Sequence, residues 1–484
     1  MNTVDTTTAD QGQGQGQGQD RDRDRDRDRD RDRDRDRDQS QNQGHGHGRD
    51  PLVLRPGDAG YDEELAGFQT GFAQRPAVVF AASSADDVVA AVRYAAAAGL
   101  PVGVQATGHG MPGAVDGGVL ITTRRMDQVS VDPQARTVRV RAGVRWSQVV
   151  AAAGPYGLAP LNGSAPGVGA VSYTLSGGLG ILAREFGYAA DHVRSLDVVT
   201  ADGRLRHVTR ESDPGLYWAL LGAGHNFGVV TELEIDLVPV ARLYGGSLAF
   251  DGGEVGPGAV LRAYERWTRT VPDGLTSSFA AVPYPDVPGT PPHLRGRYVI
   301  SVRVAYTGTA AEGERLVAPL REIGPVLTDS LREMPYAESH TIHSDPDFPH
   351  TYYGDSAVLR DLDVAAATEL LARTGPAAPA MCVVQINHLG GALTREAPNS
   401  VPHREGRFLV RLLAMAERGA ARAVLDPAFE GLAPWTIGRA LTFAFGAGDR
   451  TEGLYDTGTR KRLAGLKSEY DPANLFRRNC NVTG

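Results

Sequence analysis

Residues 104–121 read VQATGHGMPGAVDGGVLI, two apolar runs separated by a glycine-rich turn that holds one histidine, His109. Apolar runs of this length bounded by glycine predict strands, and the turn between them is polar and conformationally free. Upstream, PAVVFAA (76–82) predicts another strand. SSADD (83–87) then supplies an N-cap serine with first-turn acids, and VVAAVRYAAAAGL (88–100) carries a helix to a glycine stop. LPVGVQ (100–105) and GGVLITT (117–123) are the strands on either side of the histidine turn. Downstream, VSVDPQARTVRVRAGV (129–144) and RSLDVVTADGRLRHVT (194–209) alternate with period two around Pro-Gln-Ala and Ala-Asp-Gly turns, as hairpins do. The region is mixed α+β rather than a regular βα repeat. No GxGxxG joins a strand to a helix with an acid about 20 residues on, which disfavours a Rossmann dinucleotide fold.

The chain has 484 residues, more than one hydrophobic core ordinarily organises, so two domains are expected. A hydrophobic content of 41% and a net charge of -8 suit a soluble globular protein and disfavour a nucleic-acid binder, which needs a basic face. No signal-like segment or apolar span of about 18 residues is found, and a cytoplasmic protein with no membrane partner is expected. Cys382 and Cys480 stand nearly a hundred residues apart in no metal-ligand spacing, and are read as reduced packing residues. Residues 1–50 run through QGQGQGQGQ, an Arg-Asp alternation from Asp20 to Asp38, and QSQNQGHGHG. Nothing there buries enough apolar surface to offset ordering, so a disordered tail is expected, with His45 and His47 solvated rather than metal-bound.

Glycine clusters recur at ATGHG (106–110), NGSAPGVG (162–169), SGGLG (176–180) and GAGHNFG (222–228). Glycines that merely close tight turns would give this spacing. So would several loops whose backbones approach one large ligand, with successive N–H groups forming anion sites suited to a pyrophosphate.

The order ATGHG, GSAPGVGAVSYTLSGGLG, GYAADHV, VVTADG, LYWALLGAGHNFGVVTELE and YDPANLFRRNCN resembles the FAD-linked oxidases of the vanillyl-alcohol oxidase superfamily. The likeness is strongest to their berberine-bridge-enzyme-like group, which includes bacterial 6-hydroxy-D-nicotine oxidases, and it spans residues 76–482. It implies a PCMH-type FAD-binding domain of two α+β subdomains over 51–240 and an α+β substrate domain on an antiparallel sheet over 241–430. A segment over 431–484 would return to the FAD domain. It also implies FAD joined covalently through His109, with Gln105, Ala106, Thr107, Gly108 and Gly110 in the loop around it. Many members of the group carry a second link from a cysteine in G-x-C-P. Here the run is Gly163, Ser164, Ala165, Pro166, so a single tether is expected. By position, Gly177, Gly178 and Gly180 would let backbone pack against the ring system, with Asp191, His192 and Val193 near it and Tyr173 at the flavin edge; Gly163, Pro166 and Gly169 would be further cofactor contacts. Gly228, Val229 and Val230 would hold the adenosine end, and Asn479 and Asn481 would reach back to the cofactor.

Hydride removal needs a substrate C–H held over the flavin, and an alcohol also needs a base. Relatives often place a tyrosine in the strand that here reads RALTFAFGAGD (439–449), where Phe443 stands instead. Tyr353, His388 and Tyr455 are the catalytic candidates. Tyr352, Gln385, Asn387 and His403 are further polar candidates on the substrate side. The expected activity is oxidation of a small alcohol, amine or natural-product intermediate, with O2 as the electron acceptor and hydrogen peroxide as the product. A flavin-scaffolded cyclase without net redox change and a noncatalytic flavin-binding protein are the alternatives. Oligomeric state is open.

Overall fold

The computed structural model describes residues 51–483, so the tail reading, including His45 and His47, lies outside the described residues. The architecture is α+β in two parts. In the first, a four-stranded sheet runs in the order Leu52–Leu54, Val78–Ala81, Val119–Thr122, Val102–Gln105. Its last three strands pair in parallel, and Val78–Ala81 and Val119–Thr122 are buried along their whole length, as strands covered on both faces must be. The covering helix is Ala85–Ala98. Ser84 caps it by accepting the Asp87 N–H, Gly99 ends it at φ 63°, and Val88, Ala91, Val92 and Ala95 form its buried stripe.

Beside this lies a five-stranded antiparallel sheet in the order Val129–Asp132, Thr137–Arg141, Val229–Asp236, Val193–Val199, Leu205–Thr209. Its end strands are the two hairpins read from sequence, and the long Val229–Asp236 strand joins them.

The second part is a nine-stranded antiparallel sheet built from residues 242–438. Helices Pro257–Thr268, Ala310–Arg321, Val364–Arg373 and Arg418–Glu430 cover one face, where Phe279, Val302, Ile386 and Val410 stand opposite one another in a wholly apolar layer. Because successive strand residues point to opposite faces, the neighbours of these residues form the other face. That face is polar. It carries Ser278, Arg303, Gln385, Asn387 and Arg411, and it forms one side of the cavity described below.

The C-terminal residues pack back among the first part. Leu463, Tyr455, Cys480 and Val482 join the core under the five-stranded sheet, and Leu475 and Phe476 join that of the four-stranded sheet. RALTFAFGAGD is not the strand expected. Leu441–Phe443 is a 3-10 turn, and only Thr436–Gly438 before it pairs as a strand. The segment is bonded to the Tyr353–Leu359 strand at a few points, as Gly354 N donates to Phe445 O (3.0 Å), and otherwise to the glycine loops: Thr442 Oγ1 donates to Ser176 O (2.6 Å), Gly446 N to Met111 O (2.8 Å) and Gly448 N to Pro112 O (2.8 Å). No helix among the described residues is long and apolar enough to cross a membrane.

Candidate active site

A cavity of about 690 Å3 opens where the glycine loops meet the polar face of the large sheet. Its size lies in the upper half of the roughly 300–1,000 Å3 usual for small-molecule sites. Gln105, Ala106, Thr107, Gly108, His109 and Gly110 line one wall. Gly108 sits at φ 72°, and a Cβ there would stand 2.8 Å from Gly67 Cα, so the tight return of the loop against its neighbour requires glycine.

His109 is held from three sides. Its ring stacks on Phe68 with centroids 3.8 Å apart and planes 10° apart. Its Nδ1 lies 2.9 Å from Thr107 Oγ1, and the Tyr352 hydroxyl donates to its backbone carbonyl. Nε2 has no hydrogen-bond partner among the described residues and faces Gly167, where a Cβ would lie 3.5 Å away. Burial, followed by the charges of Arg145 and His350, pushes the imidazole down to about 4, so it is neutral at physiological pH with a ring lone pair available as a nucleophile.

Gly163, Gly169, Tyr173 and Gly180 form the adjoining wall. Tyr173 packs edge-on against Trp146 at 5.5 Å, and its hydroxyl is buried without a partner among the described residues, held protonated by burial. Gly178 lies behind it at φ 72°, where a Cβ would sit 2.5 Å from the tyrosine ring. Gly177, facing Val401, and Pro166 likewise support the wall without lining it. Asn479 reaches the cavity and donates to His225 O (3.2 Å). Asn481 lies behind it, bonded to Thr483, with Oδ1 buried and unpaired.

Other sequence candidates stand apart from the cavity. Asp191 is clamped by Arg404 at 2.6 Å, His192 donates to Phe186 O (2.8 Å), and Val193 opens a strand. Gly228, Val229 and Val230 lie at the start of the Val229–Asp236 strand, buried between sheets. None of these six lines the cavity.

The three catalytic candidates are also displaced from it. Tyr353 belongs to the helix-packed face with Ala357 and Leu359, and its neighbour Tyr352 faces the cavity. His388 shares the face of Ile386 and Val384, accepts from Arg184 Nη1 (3.1 Å), and is pushed down to about 3 by burial and then by Arg184 and Arg407. Tyr455 donates to Gly222 O (2.9 Å) within the core. Of the further candidates, Gln385 and Asn387 do line the cavity, whereas His403 donates to Gly453 O (2.9 Å) outside it.

The cavity also brings together residues that the sequence did not single out. His225 is buried, sits 3.1 Å from Ser172 Oγ through Nε2, and leaves Nδ1 unpaired. Arg303, Arg411 and Asp345 form a charged patch on the sheet side, with His343 beside them. A signal was present for the arginines: each interrupts an apolar strand, YVISVRVAY and FLVRLLA, at a position that period two assigns to the face opposite the core.

This site fits a nucleotide cofactor. Glycine-built backbone forms one wall, and an added Cβ at Gly110 would find only Phe445, at 3.9 Å. The hydroxyl of Tyr173 and Nδ1 of His225 are buried and unpaired on the cavity wall. Residues 76–209 match the FAD binding domain family. (R)-6-hydroxynicotine oxidase of Paenarthrobacter nicotinovorans is 28% identical over 461 residues, 89% of this chain and 96% of the relative. The crystal structure of 6-hydroxy-D-nicotine oxidase from Arthrobacter nicotinovorans superposes with a TM-score of 0.77 at 25% identity, covering 91% of this chain and 99% of that one. Glucooligosaccharide oxidase from Acremonium strictum, described with a 6-S-cysteinyl, 8α-N1-histidyl FAD, shares the fold alone. Its TM-score is 0.78 at 19% identity over 90% of this chain and 97% of that one.

Proposed function

We propose, from the premise that the chain is an FAD-linked oxidoreductase homologous to 6-hydroxynicotine oxidase, that it oxidises a small alcohol, amine or natural-product intermediate. The FAD is held through a single covalent bond from His109. When bound, FAD supplies the hydride acceptor, and dioxygen takes up the electrons to give hydrogen peroxide. The observation that carries this reading is His109 itself, a neutral imidazole on the cavity wall, stacked on Phe68 and set among glycine loops. Ala165 has no nucleophile where a second link would form, which supports one tether. Residues 51–240 are assigned to cofactor binding, 241–430 to substrate, and 431–484 to a closing segment.

The chain's own residues bind and orient. Gln105 to Gly110 approach the cofactor through backbone, and Tyr173 offers its unpaired hydroxyl as a donor. Asn479 ties the C-terminal segment to the loop of His225. Gln385 and Asn387 present amides to the substrate from the sheet, and Phe443 and Phe445, packed beside Val358 and Leu409 of the same sheet, exclude water from that part of the cavity.

A second reading, cyclisation or elimination with no net redox change, is favoured by the scarcity of bases. Phe443 stands where relatives often place a tyrosine, the Tyr352 hydroxyl is committed to His109 O, and His343 is held down to about 3 by burial and Arg303. A neutral amine donates hydride without a base, which keeps oxidation first. Anaerobic addition of candidate amines and alcohols separates the two. Bleaching of the flavin with a product two hydrogens lighter supports oxidation. Turnover with an oxidised spectrum throughout and an unchanged product mass overturns it.

A further inference from the structure

The cavity face of the large sheet carries a charge imbalance. Ser278 stands opposite Arg303 on one side and Asn387 on the other, and two residues along, Gln385 stands opposite Arg411. Both arginines line the cavity. Among the described residues the only other Asp, Glu, Lys or Arg on its wall is Asp345, so two cations face one carboxylate there.

Elsewhere in the described residues, inward-turned arginines are paired directly: Arg184 with Asp273 at 3.0 Å, Arg404 with Asp191 at 2.6 Å, Arg439 with Asp355 at 2.6 Å. No carboxylate of the described residues lies within 4.0 Å of Arg303 or Arg411. The Asp345 carboxylate accepts from Ser164 instead. Arg411 donates to Gln385 and lies over the Phe443 ring at 4.9 Å, yet its Nε is buried with no partner. Ser278 Oγ, opposite Arg303, is also buried and unpaired among the described residues. The charge of Asp345 acts on both arginines, but one carboxylate leaves the pair with a net positive charge facing the cavity; such a charge is costly where water is scarce, and the planar guanidinium fork matches an oxyanion. Further along the same face the wall becomes apolar, with Val282, Val383, Leu413, Met381 and Met415.

We propose that the substrate is an amphipathic acid whose carboxylate is seated between Arg303 and Arg411, its apolar body lying along the Val383, Leu413 and Met381 side of the cavity. The inference rests on the oxidase reading and deepens it, because an anchored carboxylate fixes which C–H reaches the flavin. Arg303 and Arg411 are then specificity-determining residues.

The test is calorimetric titration of the purified full chain, as isolated, with benzoate and hexanoate against benzamide and hexanamide. The flavin spectrum is recorded in the same samples. The acids are expected to bind at least about tenfold more tightly than the amides, the scale of one charge-assisted hydrogen bond. Arg303→Gln and Arg411→Gln should each remove that preference while leaving amide binding unchanged. Phenyl phosphate binding better than either carboxylate would replace the carboxylate with a phosphate and overturn the class proposed. Equal affinity for acids and amides, or a preference that survives in whichever arginine variant folds, overturns the inference outright. Yellow protein without acid preference sinks this inference alone. Colourless protein sinks the oxidase reading, with the calorimetry still scoring the arginine pair.

Discussion

Lys467→Met tests how the C-terminal segment is locked to the cofactor wall. Lys467 lies on the helix Thr457–Tyr470, and its side chain and that of Asp471 are 2% and 0% exposed. Its ammonium donates to Asp471 Oδ2 (2.7 Å) and to Asn226 O (2.6 Å), the latter on the turn that lines the cavity. Asp471 also accepts from the Leu475 and Phe476 N–H groups at 2.7 and 2.9 Å. Methionine fills the stem's volume but leaves a buried carboxylate without its cation and a carbonyl without its donor. Breaking a buried pair from one side costs about 3–5 kcal/mol. At about 2 °C per kcal/mol for a chain of this size, the melting temperature should fall by about 6–10 °C. The control is Arg418→Ala, which removes a surface pair with Asp449 whose side chains are 44% and 49% exposed, worth about 0–1 kcal/mol. Lys467→Met/Asp471→Leu should recover only part of the loss, since two backbone N–H groups then lack an acceptor. Thermal melts followed by circular dichroism and by flavin absorbance measure both effects. A Lys467→Met melt within about 2 °C of the surface variant would show that the buried pair does not lock the segment.

Gly167→Val should fold normally but block the Nε2 edge of His109, since a Cβ already meets that ring at 3.4–3.5 Å; flavin that stays with the protein after acid precipitation should be lost, and its retention would contradict the geometry. Buried His225 and His388, held down to about 4 and about 3 by desolvation, sit below their unfolded value of about 6.5. The unfolded chain therefore binds more protons between these limits, and stability is lost as pH falls from about 6.5 toward 4, each histidine contributing up to about 1.4 kcal/mol per pH unit. Urea midpoints that stay flat between about pH 7 and 4.5 would refute this. Burial pushes the thiols of Cys382 and Cys480 up to about 11 and about 12. Neither should react with a thiol reagent in the native protein and both should in denaturant; fast native labelling of Cys480, which borders the cavity, would count against the packing described.

What could be read before the structure was local. The two hairpins and the capped helix Ala85–Ala98 follow from turn chemistry, alternation and a serine cap, all written within a few residues. The histidine loop was legible for the same reason. The substrate side was not, because there function depends on which face of a strand meets the cavity. Tyr353 and Tyr352 differ by one residue and therefore point to opposite faces, and the same parity separates His388 from Gln385 and Asn387. Nothing within QINH says which face the helices cover. RALTFAFGAGD failed for a related reason, since its hydrogen-bond partners, Ser176, Met111 and Pro112, are hundreds of residues away in sequence. Arg303 and Arg411 were visible as charges within apolar strands, but their shared cavity appears only once four strands are set in register.

Acid precipitation and peptide mass analysis of the purified protein show whether FAD is anchored by His109 alone. A yellow pellet is expected, with one FAD per chain and that mass on the peptide containing His109, and His109→Ala should release the flavin to the supernatant. A colourless protein after incubation with FAD, or flavin carried on a different residue, would contradict it.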